Sequence, residues 1–356
     1  MKRLSNLFVI ALLFSMPLNP VAVRAQAPDP RDTSSPFGVL EFLQWDQEWA
    51  HHHYDAEKVT QAVALMAEAG VGIVRMDFIW QDVEPQKGRF EFEKYDRILD
   101  AMDKRGLKTL AILDYNPSWR QADWNAAPIP EDYVAYARAT VRHFKGRVKY
   151  WEIWNEPDSK TYWLPQDNLT KYSELLKAVY PAIKEEDPTA VVVLGGMTEA
   201  GPYSLRRVYQ KAGKDYFDIV NIHPFVNPRK PEALQRLKGI YFSLTRVMTE
   251  FGDEKKPIWF TELGSPGVRE PNTKNAWWHG TSPTEEEQAA WVTKIYTEAL
   301  QWKGVEKIFW AFFRDTDDFF HNGVDNFGLV REDFSKKPAY LAYQRLPKKD
   351  KPALNR

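Results

Sequence analysis

The sequence predicts a single domain folded as a closed (β/α)8 barrel. Eight short apolar runs, rich in β-branched and aromatic residues, recur roughly 28 to 45 residues apart, which is the size of one strand–helix unit. Amphipathic segments with recognisable helix ends separate these runs, and no part of the chain consists of strands alone. Because strands that alternate with helices form parallel sheets, eight such units favour a barrel.

The eight apolar runs give the predicted strands. In chain order these are Phe37–Leu40, Gly72–Ile79, Leu107–Asp114, Val148–Ile153, Ala190–Gly195, Phe217–His223, Pro257–Glu262 and Val305–Phe312. A doubly wound open sheet is the competing architecture. It would be expected to carry a glycine-rich turn after its first strand, and the segment that follows Phe37 has no such turn.

Several helices between these strands have clear boundaries. One is predicted over Asp55–Gly70 including both caps, and another runs from about Glu93–Arg105 and ends at Gly106. The segment Ser282–Glu285 has the form of a capping box and predicts a helix start there. After the eighth strand there is room for one loop and a closing helix near Pro338–Leu346, so we expect no accessory domain.

The first residues differ in pattern from the rest of the chain. Met1–Arg3 is basic, Leu7–Met16 is an almost unbroken apolar run, and small residues follow at Ala25 and Ala27. This pattern is typical of a secretory signal peptide, because the apolar run is too short to cross a bilayer. We expect cleavage after Ala25, which leaves residues 26–356 as a secreted or periplasmic catalytic domain; an uncleaved anchor is the alternative.

Composition limits the partners that the chain could have. It contains no cysteine, so in an oxidising compartment the fold would depend on its core and not on disulfides. Without Lys2, Arg3 and Arg24, 45 basic and 49 acidic residues remain, a net charge of −4. We therefore expect no nucleic-acid partner and, after signal cleavage, no membrane partner. The 14 Trp, 16 Tyr and 20 Phe residues suit sugar rings, although aromatic residues also fill cores.

Two glutamates stand in apolar surroundings where predicted strands end. Glu156 follows the fourth strand, and Glu262 ends the seventh. Active sites of such barrels lie at the carboxyl ends of the strands, and these two strands are well separated around the ring. Cleavage of a glycosidic bond needs one carboxylic acid and one carboxylate on opposite faces of a sugar. Glu152, roughly 13 Å deeper along the fourth strand, is better suited to a core ion pair.

The segments around these glutamates resemble the two signatures of clan A glycoside hydrolases. Trp154–Pro157 is similar to the signature that ends the fourth strand, and Thr261–Gly264 to the one that ends the seventh. Family 39 is the nearest group within the clan and family 5-like cellulases come next. The likeness also covers the stretch after the second strand and the closing segment, which here are Glu84–Phe92 with Tyr95-Asp96, and Asn326–Leu329 with Lys337–Tyr340.

The resemblance implies a TIM-barrel hydrolase that cleaves a β-linked poly- or oligosaccharide through a covalent glycosyl-enzyme. Glu156 would be the acid/base and Glu262 the nucleophile. Arg75 matches a second-strand arginine that would keep Glu262 ionised, with a structural ion pair as the alternative. Asn155 matches the residue that binds the sugar 2-hydroxyl, unless it only caps a turn. His223 matches a sixth-strand histidine of the substrate site, with a structural role as the alternative.

Aromatic residues supply the remaining substrate-binding candidates. Trp310 matches a stacking platform beneath the sugar, with core packing as the alternative. Many relatives have a tyrosine where Phe225 stands, and its hydroxyl contacts the nucleophile; Phe225 cannot make that contact. Five tryptophans in or near loops that follow strands could line outer subsites: Trp80, Trp119, Trp163, Trp277 and Trp278.

We expect neither a cofactor nor a metal. Retaining hydrolysis needs none, and the consecutive side chains of His51–His53 would rarely converge on one ion. A catalytically silent carbohydrate-binding barrel is the alternative, but such a protein would be expected to lose one carboxylate or Arg75. A metal- or phosphate-dependent barrel would need a ligand cluster or a glycine-rich cradle. We expect a monomer, and the loops Gly264–Ser282 and Phe313–Gly328 should decide between a pocket and a groove.

Overall fold

The computed structural model describes most of the chain after the predicted signal segment. The described residues are 35–46, 53–198, 200–270, 274–275, 280–316, 320 and 323–347. The predicted signal peptide and its cleavage site lie outside them, as do His51, His52, Trp277 and Trp278. Within the described residues, no helix is both long and apolar enough to span a bilayer.

Eight parallel strands form the barrel that the sequence predicted. They are β1 (Phe37–Leu40), β2 (Ile73–Ile79), β3 (Lys108–Asp114), β4 (Tyr150–Ile153), β5 (Val191–Leu194), β6 (Val220–Ile222), β7 (Ile258–Leu263) and an eighth barrel strand, Val305–Ala311. The first strand pairs with both β2 and the eighth strand, and the ring continues through β7 to β6. Parallel bridges from Val193 to Ile219 and from Met197 to Ile222 connect β5 with β6, so the sheet closes on itself.

Helices surround the barrel and connect its strands. They are α1 (Ala56–Ala69), α2 (Trp80–Val83), α3 (Glu93–Asp103), α4 (Pro130–His143), α5 (Thr170–Glu186), α6 (Gly201–Lys211), α7 (Ala233–Glu250), α8 (Glu285–Ala299) and α9 (Pro338–Gln344). Asp55 caps α1 by accepting from the Lys58 N–H, and Gly70 ends it with φ 80°, a conformation that suits glycine. These are the two caps that the sequence predicted. Two-residue strands, Lys274–Asn275 and Gly280–Thr281, pair in the loop after β7.

The capping box before α8 was predicted at the wrong residues. Thr284 is the N-cap, and it exchanges hydrogen bonds with Glu287, whereas the sequence prediction paired Ser282 with Glu285. Both pairs have the required spacing of three residues. The carboxylate of Glu285 is engaged elsewhere, in an ion pair with Arg331 at 2.6 Å.

The inside of the barrel is apolar at one level and polar at the next. A cluster of eight buried side chains forms the apolar part: Ile73, Leu110, Tyr150, Val191, Val193, Ile219, Trp259 and Phe309. Strand side chains alternate between the two faces, so the residue two positions later also points inward. Two positions after members of this cluster, the inward residues include the polar Arg75, Glu152, Asn221 and Thr261, all of them buried. The barrel thus places a polar layer beneath the carboxyl ends of its strands, where the two predicted catalytic glutamates stand.

Candidate active site

Glu156 and Glu262 face each other across the mouth of the barrel. Glu156 lies three residues after the end of β4, and Glu262 is the penultimate residue of β7. A carboxylate oxygen of each glutamate and a ring nitrogen of His223 lie within 4.8 Å of one another. Retaining glycosidases place their two carboxyl groups about 5 to 5.5 Å apart, while inverting enzymes need about 6.5 to 9.5 Å. The separation here fits retention.

The backbone around Glu156 adopts an unusual conformation that turns the chain at the mouth of the barrel. Trp154 has φ 65° and Glu156 has φ 42°, both in the left-handed region that non-glycine residues rarely occupy. Downstream, Asp158 fixes this turn to the next strand–helix unit, because it accepts hydrogen bonds from Thr198 and from Ser204. Strain of this kind is concentrated at functional sites, where the surrounding structure holds it in place.

Arg75 connects the nucleophile candidate to the polar layer. Its Nη1 donates to Oε1 of Glu262 at 2.6 Å, and its Nε and Nη2 donate to Glu152 at 2.8 and 2.9 Å. Nη2 also donates to Oδ1 of Asn155 at 2.9 Å. Arg75 is only 1% exposed, so this geometry favours a role on Glu262, and direct contact with substrate stays a prediction.

Burial and charge separate the two glutamates in proton affinity. Burial, followed by the negative charges of Glu262 and Asp158, raises the pKa of Glu156 well above its ordinary value. Burial also raises the pKa of Glu262, but here the charge and the hydrogen bond of Arg75 oppose the shift. Arg75 thus lowers the pKa of Glu262 as expected, although burial raises this pKa by more. Of the two carboxyl groups, Glu156 therefore holds a proton more tightly, and it is the group predicted to act as the acid.

His223 lies between the two glutamates. Its Nδ1 is 2.9 Å from Oε1 of Glu156 and 3.6 Å from Oε1 of Glu262, and its Nε2 is 2.9 Å from Oγ1 of Thr261. Burial and the nearby charge of Arg75 lower its pKa well below the ordinary value, so the ring is neutral. The structure thus brings His223 into the site that the sequence predicted, in contact with the acid/base candidate.

Asn155 and Glu152 complete the polar layer around Arg75. The Asn155 Oδ1 faces Arg75, so its amide nitrogen is the atom that could donate to a sugar hydroxyl. Glu152 is fully buried and also accepts from the backbone N–H of Gly196 at 3.0 Å and from Nδ2 of Asn221 at 3.1 Å. Glu152 is therefore the core ion-pair partner that its depth along β4 predicted.

The prediction that Trp310 forms a sugar platform is wrong. Phe309 belongs to the cluster inside the barrel, so the next side chain, Trp310, points outward. Trp310 is fully buried in the outer core, and its Nε1 donates to the carbonyl of Phe327 at 2.8 Å. Ala311 and Phe312 belong instead to an aromatic cluster that also includes Phe327, with Phe42, Phe225 and Phe320 packed against it.

The tryptophans predicted for outer subsites differ in position. Trp80 is fully buried, its ring stacks on Tyr136 at 5.1 Å, and its Nε1 donates to Glu84, so it cannot contact a ligand at the surface. Trp163 is buried in the same core. The prediction that these two line subsites is wrong because both rings serve packing. Trp119 is partly exposed and remains a candidate.

Sequence reasoning missed an exposed aromatic residue beside the site. Trp124 is 46% exposed, and its ring packs edge-on against Tyr115 at 4.9 Å and against Tyr162 at 6.2 Å. Burial, followed by the charges of Glu156 and Glu262, raises the pKa of Tyr162, which places this group near the catalytic pair. The aromatic content gave a general signal, but Trp124 stands in a loop without regular pattern, so nothing in its neighbours pointed to it.

Two inward-facing aspartates were also missed. Asp77 and Asp114 are buried at the ends of β2 and β3, and burial raises the pKa of Asp77 to about 7. Gln44 donates to Asp77 at 3.0 Å, whereas neither carboxylate oxygen of Asp114 has a hydrogen-bond partner among the described residues. The alternation of strand side chains could have found Asp77, because it lies two residues after Arg75.

The cluster of Glu156, His223 and Glu262 also has the ligand types and spacing of a metal site. The guanidinium of Arg75 already donates to Glu262 at 2.6 Å, so a divalent ion on that carboxylate would be repelled by a neighbouring fixed charge. This donor set therefore suits acid–base chemistry better than metal binding.

Known proteins with similar sequences are glycoside hydrolases. The glycoside hydrolase family 42 model, described as beta-galactosidase, matches residues 48–151. Endo-1,4-beta-xylanase B of Thermotoga neapolitana is 24% identical over 291 residues, which cover 75% of this chain and 77% of that protein.

Solved structures resemble the chain over most of its length. A family 39 glycoside hydrolase from the gut symbiont Bacteroides cellulosilyticus WH2 aligns with a TM-score of 0.70 and 26% identity over 87% of this chain, which spans 62% of that one. A monomeric beta-xylosidase from Caulobacter crescentus CB15 aligns with a TM-score of 0.66 and 19% identity, over 89% of this chain and 69% of that one. The predicted resemblance to clan A, with family 39 among the similar structures, is confirmed.

Proposed function

We propose that this chain is a clan A glycoside hydrolase, a retaining β-glycosidase that cleaves a β-linked poly- or oligosaccharide by double displacement. The observation that carries the proposal is the pair of carboxyl groups at the barrel mouth, with one oxygen of each within 4.8 Å of the other. Each has a different partner: Glu262 accepts from Arg75, and Glu156 contacts the neutral ring of His223. Glu262 is therefore placed to attack the sugar, and Glu156 to donate a proton.

In the first step, Glu156 transfers its proton to the glycosidic oxygen while a carboxylate oxygen of Glu262 bonds to the anomeric carbon. The bond from that carbon to the leaving oxygen breaks, and a glycosyl ester on Glu262 remains. Arg75 keeps the attacking carboxylate in place with its 2.6 Å hydrogen bond. In the second step, the Glu156 carboxylate takes a proton from water, the oxygen of water bonds to the anomeric carbon, and Glu262 leaves.

Aromatic surfaces near the catalytic pair support a carbohydrate substrate. One group consists of Tyr115, Trp124 and Tyr162, whose rings contact one another. A second group is the aromatic cluster around Phe312, which follows the eighth barrel strand, with Phe42 stacked on Trp45 at 4.1 Å. Rings of this kind bury the apolar faces of sugars. The relatives carry names as different as xylanase, xylosidase and beta-galactosidase, so we propose the substrate only as a β-linked saccharide.

The remaining features of the proposal concern location and assembly. A cleaved signal peptide of residues 1–25 would deliver the enzyme to the periplasm or the exterior, where polysaccharide is found. We also propose a monomer without nucleic-acid or membrane partners; one similar solved structure is described as monomeric, and the mature net charge is slightly negative.

A catalytically silent, carbohydrate-binding barrel is the competing function. Purified protein should be assayed on aryl β-glycosides and on β-glucans, xylans, mannans and bacterial exopolysaccharides. We expect turnover that falls by about a thousandfold or more in Glu262→Gln, because the nucleophile is lost. Glu250→Gln is the matched control, since Glu250 lies on α7 in a surface ion pair with Arg206. Binding without turnover in the unsubstituted protein, or full turnover in Glu262→Gln, would reject the proposal.

A further inference from the structure

We infer that Thr261 and Asn221 are positioning residues that hold the His223 ring with its proton on Nε2, so that Nδ1 accepts the acidic proton of Glu156. The inference rests on the proposed function, since it assigns the means by which the acid/base keeps its proton. Four side chains form the relay, in the order Glu156, His223, Thr261 and Asn221. Each link follows from the donors and acceptors that the neighbouring groups leave available.

The relay begins at Asn221, whose amide orientation is fixed by groups of known polarity. Its Nδ2 lies 3.1 Å from the carbonyl oxygen of Leu194 and 3.1 Å from a carboxylate oxygen of Glu152, both of which only accept. Its Oδ1 lies 3.3 Å from the backbone N–H of Thr261, which only donates. The side-chain oxygen and nitrogen of Asn221 therefore cannot be exchanged without losing all three hydrogen bonds.

The direction of the next two hydrogen bonds follows. The Thr261 hydroxyl lies 2.9 Å from Oδ1 of Asn221, which accepts, so the hydroxyl proton is donated there. The same hydroxyl oxygen is 2.9 Å from Nε2 of His223 and has only lone pairs left to offer. Nε2 must therefore carry a proton. A neutral imidazole with a proton on Nε2 has a lone pair on Nδ1.

That lone pair determines the state of Glu156. Nδ1 is 2.9 Å from Oε1 of Glu156, and a hydrogen bond between them needs a proton from the carboxylic acid. The charged and titratable groups that affect this contact are Glu262, Asp158, Arg75, Glu152 and Tyr162. Burial and the positive charge of Arg75 disfavour a charged imidazole, so proton transfer from Glu156 to His223 is disfavoured as well.

The arrangement serves both halves of the reaction. Before cleavage, it stabilises the protonated form of Glu156, which is the form that acts as the acid. After the proton has gone to the leaving group, the Glu156 carboxylate faces the Nδ1 lone pair and gains no hydrogen bond from it. The anion is therefore a stronger base towards the water of the second step. No relay atom other than those of Glu156 gains or loses a covalent partner.

Substitution of Thr261 tests the relay. In Thr261→Val, Nε2 has lost its acceptor, so the tautomer that donates from Nδ1 to the Glu156 carboxylate becomes competitive. We expect the basic limb of the kcat/KM profile to shift about one pH unit lower, the effect of one hydrogen bond to a carboxylate. The loss of activity in Thr261→Val should be larger for substrates with poor leaving groups, because their cleavage depends on the proton of Glu156. Thr261→Ser keeps the hydroxyl and should restore the basic limb.

Thr245→Val is the matched control, because Thr245 lies on the outer helix α7 and its hydroxyl donates to the carbonyl of Phe242 on the same helix. It should leave activity and the pH profile unchanged. A basic limb that does not move in Thr261→Val, or one that moves equally in Thr261→Ser, would overturn the relay.

Nitrogen NMR of the unsubstituted protein gives a second test. A variant is needed only to assign the resonances of His223. The chain has 7 histidines, and the resonances of His223 can be assigned by their loss in His223→Gln. With ¹⁵N-labelled histidine, we expect the His223 ring to be protonated on Nε2 and unprotonated on Nδ1 at the pH of highest activity. A proton on Nδ1, alone or with one on Nε2, would overturn the inference. A protein without any glycosidase activity would reject the proposed function instead, while the ring state would still decide the relay.

Discussion

Nη1 of Arg75 lies 2.6 Å from Oε1 of Glu262, while the other donors of the same guanidinium hold Glu152 and Asn155. One buried cation therefore fixes the predicted nucleophile, the core carboxylate below it and the amide next to the acid/base. A planar guanidinium can do this because its donors point in fixed, separate directions, which an ammonium group does not reproduce. The site is built around this residue as much as around the two glutamates.

Arg75→Lys should therefore impair catalysis although the charge is kept. We expect kcat/KM to fall by about a hundredfold, because an ammonium group has only three donors on one nitrogen and cannot reproduce the four diverging hydrogen bonds of Arg75. Arg75 opposes the burial-driven rise in the pKa of Glu262 through both its charge and its hydrogen bond. Arg75→Lys keeps the charge but loses the hydrogen bond, so the pKa should rise further and the acid limb of the pH profile should move to higher pH. Arg206→Lys, in the surface pair with Glu250, is the control. An unchanged acid limb would contradict this role.

Glu156→Ala should affect substrates according to their leaving groups. A dinitrophenyl leaving group needs no proton, so its glycosylation rate should change little, whereas a methyl or sugar leaving group should lose about a thousandfold or more. Added azide should restore turnover of the activated substrate and give a β-glycosyl azide, because azide needs no general base. An equal loss for both kinds of leaving group would argue against Glu156 as the acid/base.

Trp124→Ala should weaken substrate binding without impairing the chemical steps. The ring is 46% exposed at a group of aromatic residues near the catalytic pair, so we expect it to stack on a sugar. The KM for oligosaccharides should rise about three- to tenfold at nearly constant kcat, the effect of one aromatic contact. Trp124→Phe should reverse part of this rise in KM. Phe242→Ala, at a residue of α7 that is 57% exposed, serves as control; the idea fails if both variants behave alike.

Asp114 should make the fold less stable as the pH rises. Burial and the charge of Asp77 raise the pKa of Asp114 well above its ordinary value, so the folded chain keeps a proton that the unfolded chain releases. The folded state binds more protons above about pH 4, and the free energy of unfolding therefore falls with rising pH until the folded group ionises.

Asp114→Asn removes this titration. Urea unfolding at pH 5 and pH 8 should show a smaller difference for the variant, by about 1 kcal/mol or more. Asp123→Asn, in the exposed loop before α4, should keep the difference found in the unsubstituted protein. If Asp114→Asn also keeps it, the buried proton is elsewhere.

Local sequence patterns were sufficient to predict the barrel and the place of Glu156 and Glu262 at its mouth. Apolar runs of the right length define all eight strands, and the glutamates stand next to those runs, so their place at the strand ends followed directly. The role of Glu152 followed from its depth along the fourth strand, whereas Arg75 was found through the resemblance to clan A.

Side chains whose roles depend on distant neighbours were harder to predict. Trp310 is one residue away from the inward face, and resemblance alone did not reveal which way it points. Trp80 stands in a short helix whose burial depends on Tyr136 from α4. Thr261 and Asn221 acquire their role only when β6 and β7 lie side by side, and no spacing in the sequence shows that contact.

The identity of the nucleophile is tested most directly by trapping the covalent intermediate. Once a substrate is known, its 2-deoxy-2-fluoro analogue with a dinitrophenyl leaving group should inactivate the enzyme by slow turnover of the glycosyl-enzyme. Intact mass followed by peptide mapping should find one sugar, attached to Glu262, and none in Glu262→Gln. A label on another carboxylate, or rapid cleavage of the true substrate with inversion at the anomeric carbon, would contradict the account.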